Sequence, residues 1–203
     1  MHEHILIEKG QPPDQAKNAI IVLHGRGGRA EDTITLADEF NDGTFYICAP
    51  QAAGNAWYPY SFLGAEEQNE PWLTSAVDRI KRLIEEISVF ISVDRIFIMG
   101  FSQGACLSLE VAARFATGYG GIAAFSGGLI GEIIRPEKYN GDFKGTKIFI
   151  GCSDDDPHIP LSRVEESKDI IQKLGAKVTL KIYPGGGHTI LQDEIETVKA
   201  LMF

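Results

Sequence analysis

RIFIMGFSQGA, residues 95–105, runs an apolar stretch straight into a serine flanked by glycines. Arg95–Met99 reads as a buried strand, because it is short, β-branched and aromatic, and has no polar interruption. Gly100-Phe101-Ser102-Gln103-Gly104 then matches G-x-S-x-G, and the helix-prone ACLSLEVAARF follows. A serine on a sharp strand-to-helix turn sits in strained backbone, with its hydroxyl thrust out of the sheet. Small residues two before and two after it let strand and helix close without a Cβ clash. The helix N-terminus behind the serine offers unpaired N–H groups to developing negative charge. Three matched positions alone are a weak signal, and the flanking strand and helix make it strong. The competing reading is a glycine-rich turn with an incidental serine. Ser102 is taken as a nucleophile.

A nucleophilic serine needs a base, and the base needs an orienter. Of the five histidines, His2 and His4 lie in the strand-like HEHILIE and read as surface residues. His24 closes the strand AIIVL and precedes the serine, so it reads as packing under the next loop. His158 lies in DPHIP. His188 lies in YPGGGHTI, between the strand VTLKIY and the last helix. Three glycines before it let that loop fold close over the site. His188 is therefore the expected base, against the alternative of an exposed loop histidine.

The acid is sought between Ser102 and His188, and KIFIGCSDDDPHIP supplies three adjacent aspartates at a strand end. Like charges repel, so one carboxylate can face the histidine while the others face water. Pro157 holds the residue before it in extended backbone, which suits a fixed orienter. Asp156 is the expected acid, with Asp154 in reserve. The oxyanion hole needs two N–H donors. Gln103, next to the nucleophile, supplies one from its main chain. Arg26 in Gly25-Arg26-Gly27-Gly28 is the expected second, because glycines there let the backbone turn its N–H groups inward. That loop fits neither G-x-G-x-x-G nor G-x-x-x-x-G-K-[ST], so nucleotide binding is disfavoured.

LHGRGG, GFSQGA, DDDPHIP and GGGHTI, in this order, resemble the phospholipase/carboxylesterase family of α/β-hydrolases, which includes acyl-protein thioesterases and bacterial carboxylesterases. The resemblance runs from about Ala19 to the C-terminus. It implies an α/β-hydrolase fold with Ser102 as nucleophile, Asp156 as acid and His188 as base. Arg26 stands where the thioesterases usually carry leucine, and Cys152-Ser153 where they usually carry His-Gly. Those departures point to the carboxylesterase side of the family.

Composition is consistent with that reading. A chain of 203 residues with 44% hydrophobic residues suits one globular domain, residues 1–203, with a sizeable core. Net charge is −9, which disfavours nucleic-acid or anionic-membrane binding. MHEHILIEKG lacks a basic segment followed by an apolar one, so no secretory signal is read. No apolar run approaches the ~20 residues needed to span a bilayer. Three cysteines without C-x-x-C read as free thiols in a reducing, cytoplasmic setting. Cys106 reads as core. The chemistry requires no metal or organic cofactor. The expected partner is a small-molecule ester, and a homodimer is left open.

Strands are expected near 4–8, 19–24, 45–49, 95–100, 121–126, 147–151 and 178–183, and helices near 30–41, 73–91, 103–116, 162–174 and 192–202. This alternation predicts a mainly parallel sheet covered on both faces. Two long segments interrupt it. Gln51–Pro71 holds Trp57, Tyr58, Tyr60 and Phe62, and Leu129–Thr146 holds Leu129, Ile130, Ile133, Ile134 and Tyr139. Long segments inside a compact domain are often functional. Trp57, Tyr58 and Phe62 are expected to wall an apolar pocket beside Ser102, against the alternative that they cap the core. The sum is a serine carboxylesterase acting through an acyl-enzyme. Alternatives are an acyl thioesterase or lysophospholipase, or a non-catalytic binding module on a hydrolase fold.

Overall fold

Strands that are apolar at every position, such as AIIVL and IFIM, stay ordered only if both of their faces are covered. The computed structural model, which describes residues 1–203, arranges them in that way. Seven strands form one sheet: β1 (Leu6–Gly10), β2 (Asn18–Leu23), β3 (Phe45–Pro50), β4 (Ile96–Phe101), β5 (Gly121–Phe125), β6 (Lys147–Ser153) and β7 (Lys177–Tyr183). Their spatial order is β1-β3-β2-β4-β5-β6-β7. β1 pairs antiparallel with β3, and every other pair is parallel.

Period-two alternation sends neighbouring side chains to opposite cores. Ile21, Leu23, Ile98 and Ile150 join the core under α3 (Trp72–Ser88), α4 (Gln103–Arg114) and α5 (Leu161–Lys173). Ile20, Val22, Met99 and Phe149 join the other core, under α1 (Ala30–Thr33), the 3₁₀ segment that follows it, and α6 (Gln192–Met202). One sheet thus separates two apolar layers.

All seven expected strands form. The helix expected over 30–41 does not form as one unit. α1 ends at Thr33, and Ile34–Phe40 continues as a 3₁₀ helix. Its buried residues are Ile34, Ala37 and Phe40, spaced three apart, which is the 3₁₀ period rather than the α period. A four-residue helix, α2 (Glu66–Asn69), falls inside the long Gln51–Pro71 segment and is too short to show in a periodicity. His2 is not a plain surface residue. Its ring accepts the Ala53 N–H at 3.1 Å and lies against Trp57 and Trp72.

From β2 the chain goes to β3 on one side of the sheet, and β4 returns on the other. Connections diverge at that switch, so a crevice opens at the carboxyl ends of β2 and β4. Gly25 and Arg26 follow β2, and Ser102 follows β4.

Candidate active site

The turn after β4 is built from two close approaches. A Cβ on Gly100 would lie 2.5 Å from the Gly104 carbonyl, and a Cβ on Gly104 would lie 2.1 Å from the Leu23 oxygen. Only glycine at both places lets α4 start directly against β2 and β4. Ser102, between them, takes φ 56° and ψ −119°. Such backbone costs about 1–3 kcal/mol in a non-glycine residue and persists because its surroundings over-determine it. Here the Ser102 N–H donates to Phe125 O at 2.9 Å, and its carbonyl accepts the Cys106 N–H at 3.0 Å.

His188 arrives on the loop after β7. Its Nε2 lies 2.8 Å from Ser102 Oγ, and its Nδ1 lies 2.8 Å from Asp156 Oδ2. The network assigns the proton to Nδ1, leaving Nε2 to accept from the serine hydroxyl. Asp156 follows β6, and its side chain has no solvent exposure. Its Oδ1 accepts the N–H groups of His158 at 2.8 Å and Ile159 at 3.0 Å, an Asx-type turn around Pro157. Burial pushes its pKa up. The bonds from His188, His158 and Ile159 outweigh burial and hold the carboxyl below the usual range. It is a fixed anion behind the imidazole.

The other two aspartates face water and also have work. Asp154 accepts the Gly185 N–H at 2.9 Å, and Asp155 accepts that of Gly187 at 2.9 Å. Ser153 Oγ accepts the N–H groups of Gly186 at 2.8 Å and Gly187 at 3.1 Å. Residues 153–155 therefore hold the glycine turn that carries His188. In the sequence, Ser153 stands out only as a departure from the thioesterase pattern, and this anchoring does not show there. The signal was the adjacency of a hydroxyl, two spare carboxylates and a glycine run with free N–H groups.

On the loop after β2, the Arg26 N–H has no acceptor within the protein. Gln103 opens α4, where the first N–H groups have no intrahelical partner. Both residues line the cavity that contains Ser102. The side chain of Gln103 has a separate task that the sequence did not reveal. Its Oε1 accepts the Trp57 N–H at 2.9 Å, and its Nε2 donates to Tyr58 O at 2.8 Å. Asn69 accepts the Tyr60 N–H at 2.8 Å and donates to Ser61 O at 3.0 Å. The aromatic segment is thus tied down before any ligand arrives.

The cavity has a volume of about 720 Å³, and Tyr58, Phe62, Phe101 and Cys106 contribute to its wall along with Ser102 and His188. Trp57 does not, contrary to expectation. Its indole is fully buried, stacks on His24 with ring centroids 5.1 Å apart, and donates to His24 O at 2.9 Å. An indole with both a flat neighbour and a partner for its N–H gains more as a core cap than as an open wall. His24 packs under the loop as read, with Nδ1 donating to Gly25 O and Nε2 accepting the Ala52 N–H. Burial lowers its pKa, against the opposing bond to Gly25. His158 also lines the cavity, edge-on to the His188 ring at 4.8 Å. In the second long segment Leu129, Ile130, Ile134 and Tyr139 are buried in the core instead of lining this cavity.

Sheet order and site define an α/β-hydrolase. Residues 2–202 match the model of the phospholipase/carboxylesterase family, and the chain belongs to that family. Among solved structures it is similar to a phospholipase/carboxylesterase of Dyadobacter fermentans, with 46% identity, a TM-score of 0.96, and coverage of 98% of this chain and 96% of that one. It is also similar to acyl-protein thioesterase 1 of Debaryomyces hansenii, 28% identical over 89% of this chain and 88% of that protein. Against acyl-protein thioesterase 1 of Gibberella zeae it is 30% identical, but the match spans 58% of this chain and about half, 51%, of that protein.

Proposed function

We propose that the chain is a serine carboxylesterase acting on small or medium carboxylic esters through Ser102, His188 and Asp156. The observation that carries this is the unbroken relay Ser102 Oγ–His188–Asp156, with both links at 2.8 Å, at the wall of an open cavity of about 720 Å³. His188 takes the Ser102 proton as the hydroxyl oxygen attacks the ester carbonyl, and Asp156 stabilises the imidazolium. The N–H groups of Gln103 and Arg26 receive the developing oxyanion, where each donor of this kind is worth about 10²–10³ in turnover. His188 then protonates the departing alcohol. Water, deprotonated by His188, attacks the acyl-serine and releases the acid. One sheet with an apolar layer on each face supports reading the chain as a single domain.

A second reading, acyl thioesterase, is favoured by the names of the fungal relatives. The same relay would serve, because only the leaving group changes. Labelling with a fluorophosphonate probe tests the serine chemistry, and matched ester and thioester panels of increasing acyl length separate the two readings. Absence of labelling in the folded protein would leave a binding module on a hydrolase fold.

A further inference from the structure

The Ser102 cavity has a sign of charge that composition does not give it. The chain carries net charge −9, yet no aspartate or glutamate lines this cavity. Arg26 does, and it is the one arginine or lysine that does. Its guanidinium is held in place. Nη1 donates to Pro59 O at 2.7 Å, Nη2 donates to Tyr60 O at 2.6 Å, and the group lies 5.8 Å from the Tyr58 ring centroid. Both acceptors are neutral carbonyls on the rim of the same cavity. Arg26 takes part in none of the protein's ion pairs, so no carboxylate lies within 4.0 Å of it.

A guanidinium has five N–H donors in a planar fork, and this one spends two. Three remain, on a cation with no counter-ion. Clamping two carbonyls uses donors, not charge, and leaves the charge for something else. The group that best matches the remaining N–H donors of a guanidinium is a carboxylate. Anchoring to Pro59 and Tyr60 removes part of the ordering cost such a contact would otherwise carry.

We propose that Arg26 is a specificity-determining residue that selects esters bearing a carboxylate on the arm lying over Pro59 and Tyr60, such as half-esters of short dicarboxylic acids. The proposal rests on ester hydrolysis at Ser102 and names its substrate class. The carboxylate takes no part in bond making or breaking. Its contact persists from ground state to transition state, so it lowers KM and leaves kcat largely alone.

The test uses two matched probes, monomethyl glutarate and methyl valerate, which differ by a carboxylate in place of a terminal methyl. kcat and KM are measured for wild type, Arg26→Met and Arg26→Lys. Binding of both probes to Ser102→Ala protein, with and without Arg26→Met, is followed by calorimetry at low and high salt. The expected result is an anionic-over-neutral preference in kcat/KM that falls about tenfold or more in Arg26→Met, read as the ratio between the two esters so that any change at the Arg26 main-chain N–H, which acts on both alike, cancels. Arg26→Lys keeps part of it, and high salt weakens it. If Arg26→Met lowers turnover of both esters equally, the guanidinium only holds the Pro59–Tyr60 segment and the proposal fails. Ester turnover with no such preference overturns the proposal and leaves the serine chemistry standing. Absence of turnover, with Arg26-dependent binding of monomethyl glutarate to the Ser102→Ala protein, does the reverse. Absence of both overturns both.

Discussion

The serine turn and the histidine loop meet at one hydrogen bond, but they are held by different physics. Gly100–Gly104 is fixed by backbone against backbone, with approaches so close that a single methyl group has nowhere to go. Gly185–His188 is fixed by side chains: Ser153, Asp154 and Asp155 reach up to its N–H groups. Its positive-φ glycines, Gly185 and Gly187, have open space where a Cβ would stand. The first kind of restraint is all-or-none and belongs to folding. The second is a sum of modest bonds and belongs to the geometry of the reaction. The serine turn and the histidine loop can therefore fail separately, and five experiments probe them.

The largest effect is expected at the serine turn. Ser102→Ala keeps the fold and loses about a million-fold in kcat together with fluorophosphonate labelling, because the nucleophile and its base act as a unit. Turnover within tenfold of wild type would remove Ser102 from the mechanism. Next comes the acid. Asp156→Asn is expected to lose about ten-thousand-fold, because the wrong imidazole tautomer is then held. Asp154→Asn loses far less, since its carboxylate touches only Gly185. A dead Asp154→Asn beside an active Asp156→Asn would reverse the assignment.

Stability measurements address the contrast itself. Gly104→Ala drives a Cβ to 2.1 Å from the Leu23 oxygen, and is expected to cost more than about 3 kcal/mol in denaturant unfolding or to prevent folding. Gly187→Ala meets no atom and pays only for φ 66°, about 1–2 kcal/mol. Equal losses would show that the two regions are held alike. Ser153→Ala leaves the Gly186 and Gly187 N–H groups without their shared acceptor. A drop in kcat of about tenfold or more is expected, with a small change in melting temperature, because a 1 Å misplacement of a catalytic group can cost ~10². Unchanged kcat would mean that Asp154 and Asp155 suffice.

The smallest effect lies beside the histidine loop. Glu194 is buried, caps the Leu191 N–H with Oε2 at 2.8 Å, and leaves Oε1 without a partner against Gly151 of β6. Burial pushes its pKa up to about 7, from an ordinary 4.5. The folded state then holds this proton where the unfolded state has lost it. Stability contributed by the neutral form is complete below about pH 4.5 and falls as pH rises through about 7. Glu194→Gln keeps an acceptor for Leu191 and removes the titration. Its stability relative to wild type is expected to improve from pH 5 to pH 8 in parallel denaturant titrations. A difference that stays flat with pH would place the ionisation elsewhere.

Much of this site is legible without coordinates, for local reasons. Strand, G-x-S-x-G and helix specify the turn within eleven residues, because the strain of Ser102 and the two close approaches are properties of that segment and the strand beside it. Asp156 is legible through Pro157, which restrains the residue before it, whereas the turn it forms with His158 and Ile159 shows only in the structure. Trp57 was misread because its neighbour is His24, thirty-three residues earlier, and no spacing in the long segment announces that stack. The 3₁₀ turn of Ile34–Phe40 was written in its period of three, but an apolar stripe that short fits both helix types.

By itself the sequence determined the alternation of seven strands with helices, the serine turn, and the chain order of Ser102, Asp156 and His188. Each of these is imposed by backbone sterics or by periodicity over a few residues. Only the tertiary structure decided which aromatics face the cavity, that Ser153 and two spare aspartates hold the histidine loop, and that Arg26 stands as a cation without a counter-ion. Those outcomes depend on which side chains from distant segments reach the same few ångströms. Close packing and the pairing of buried polar groups settle that only once the whole sheet has assembled.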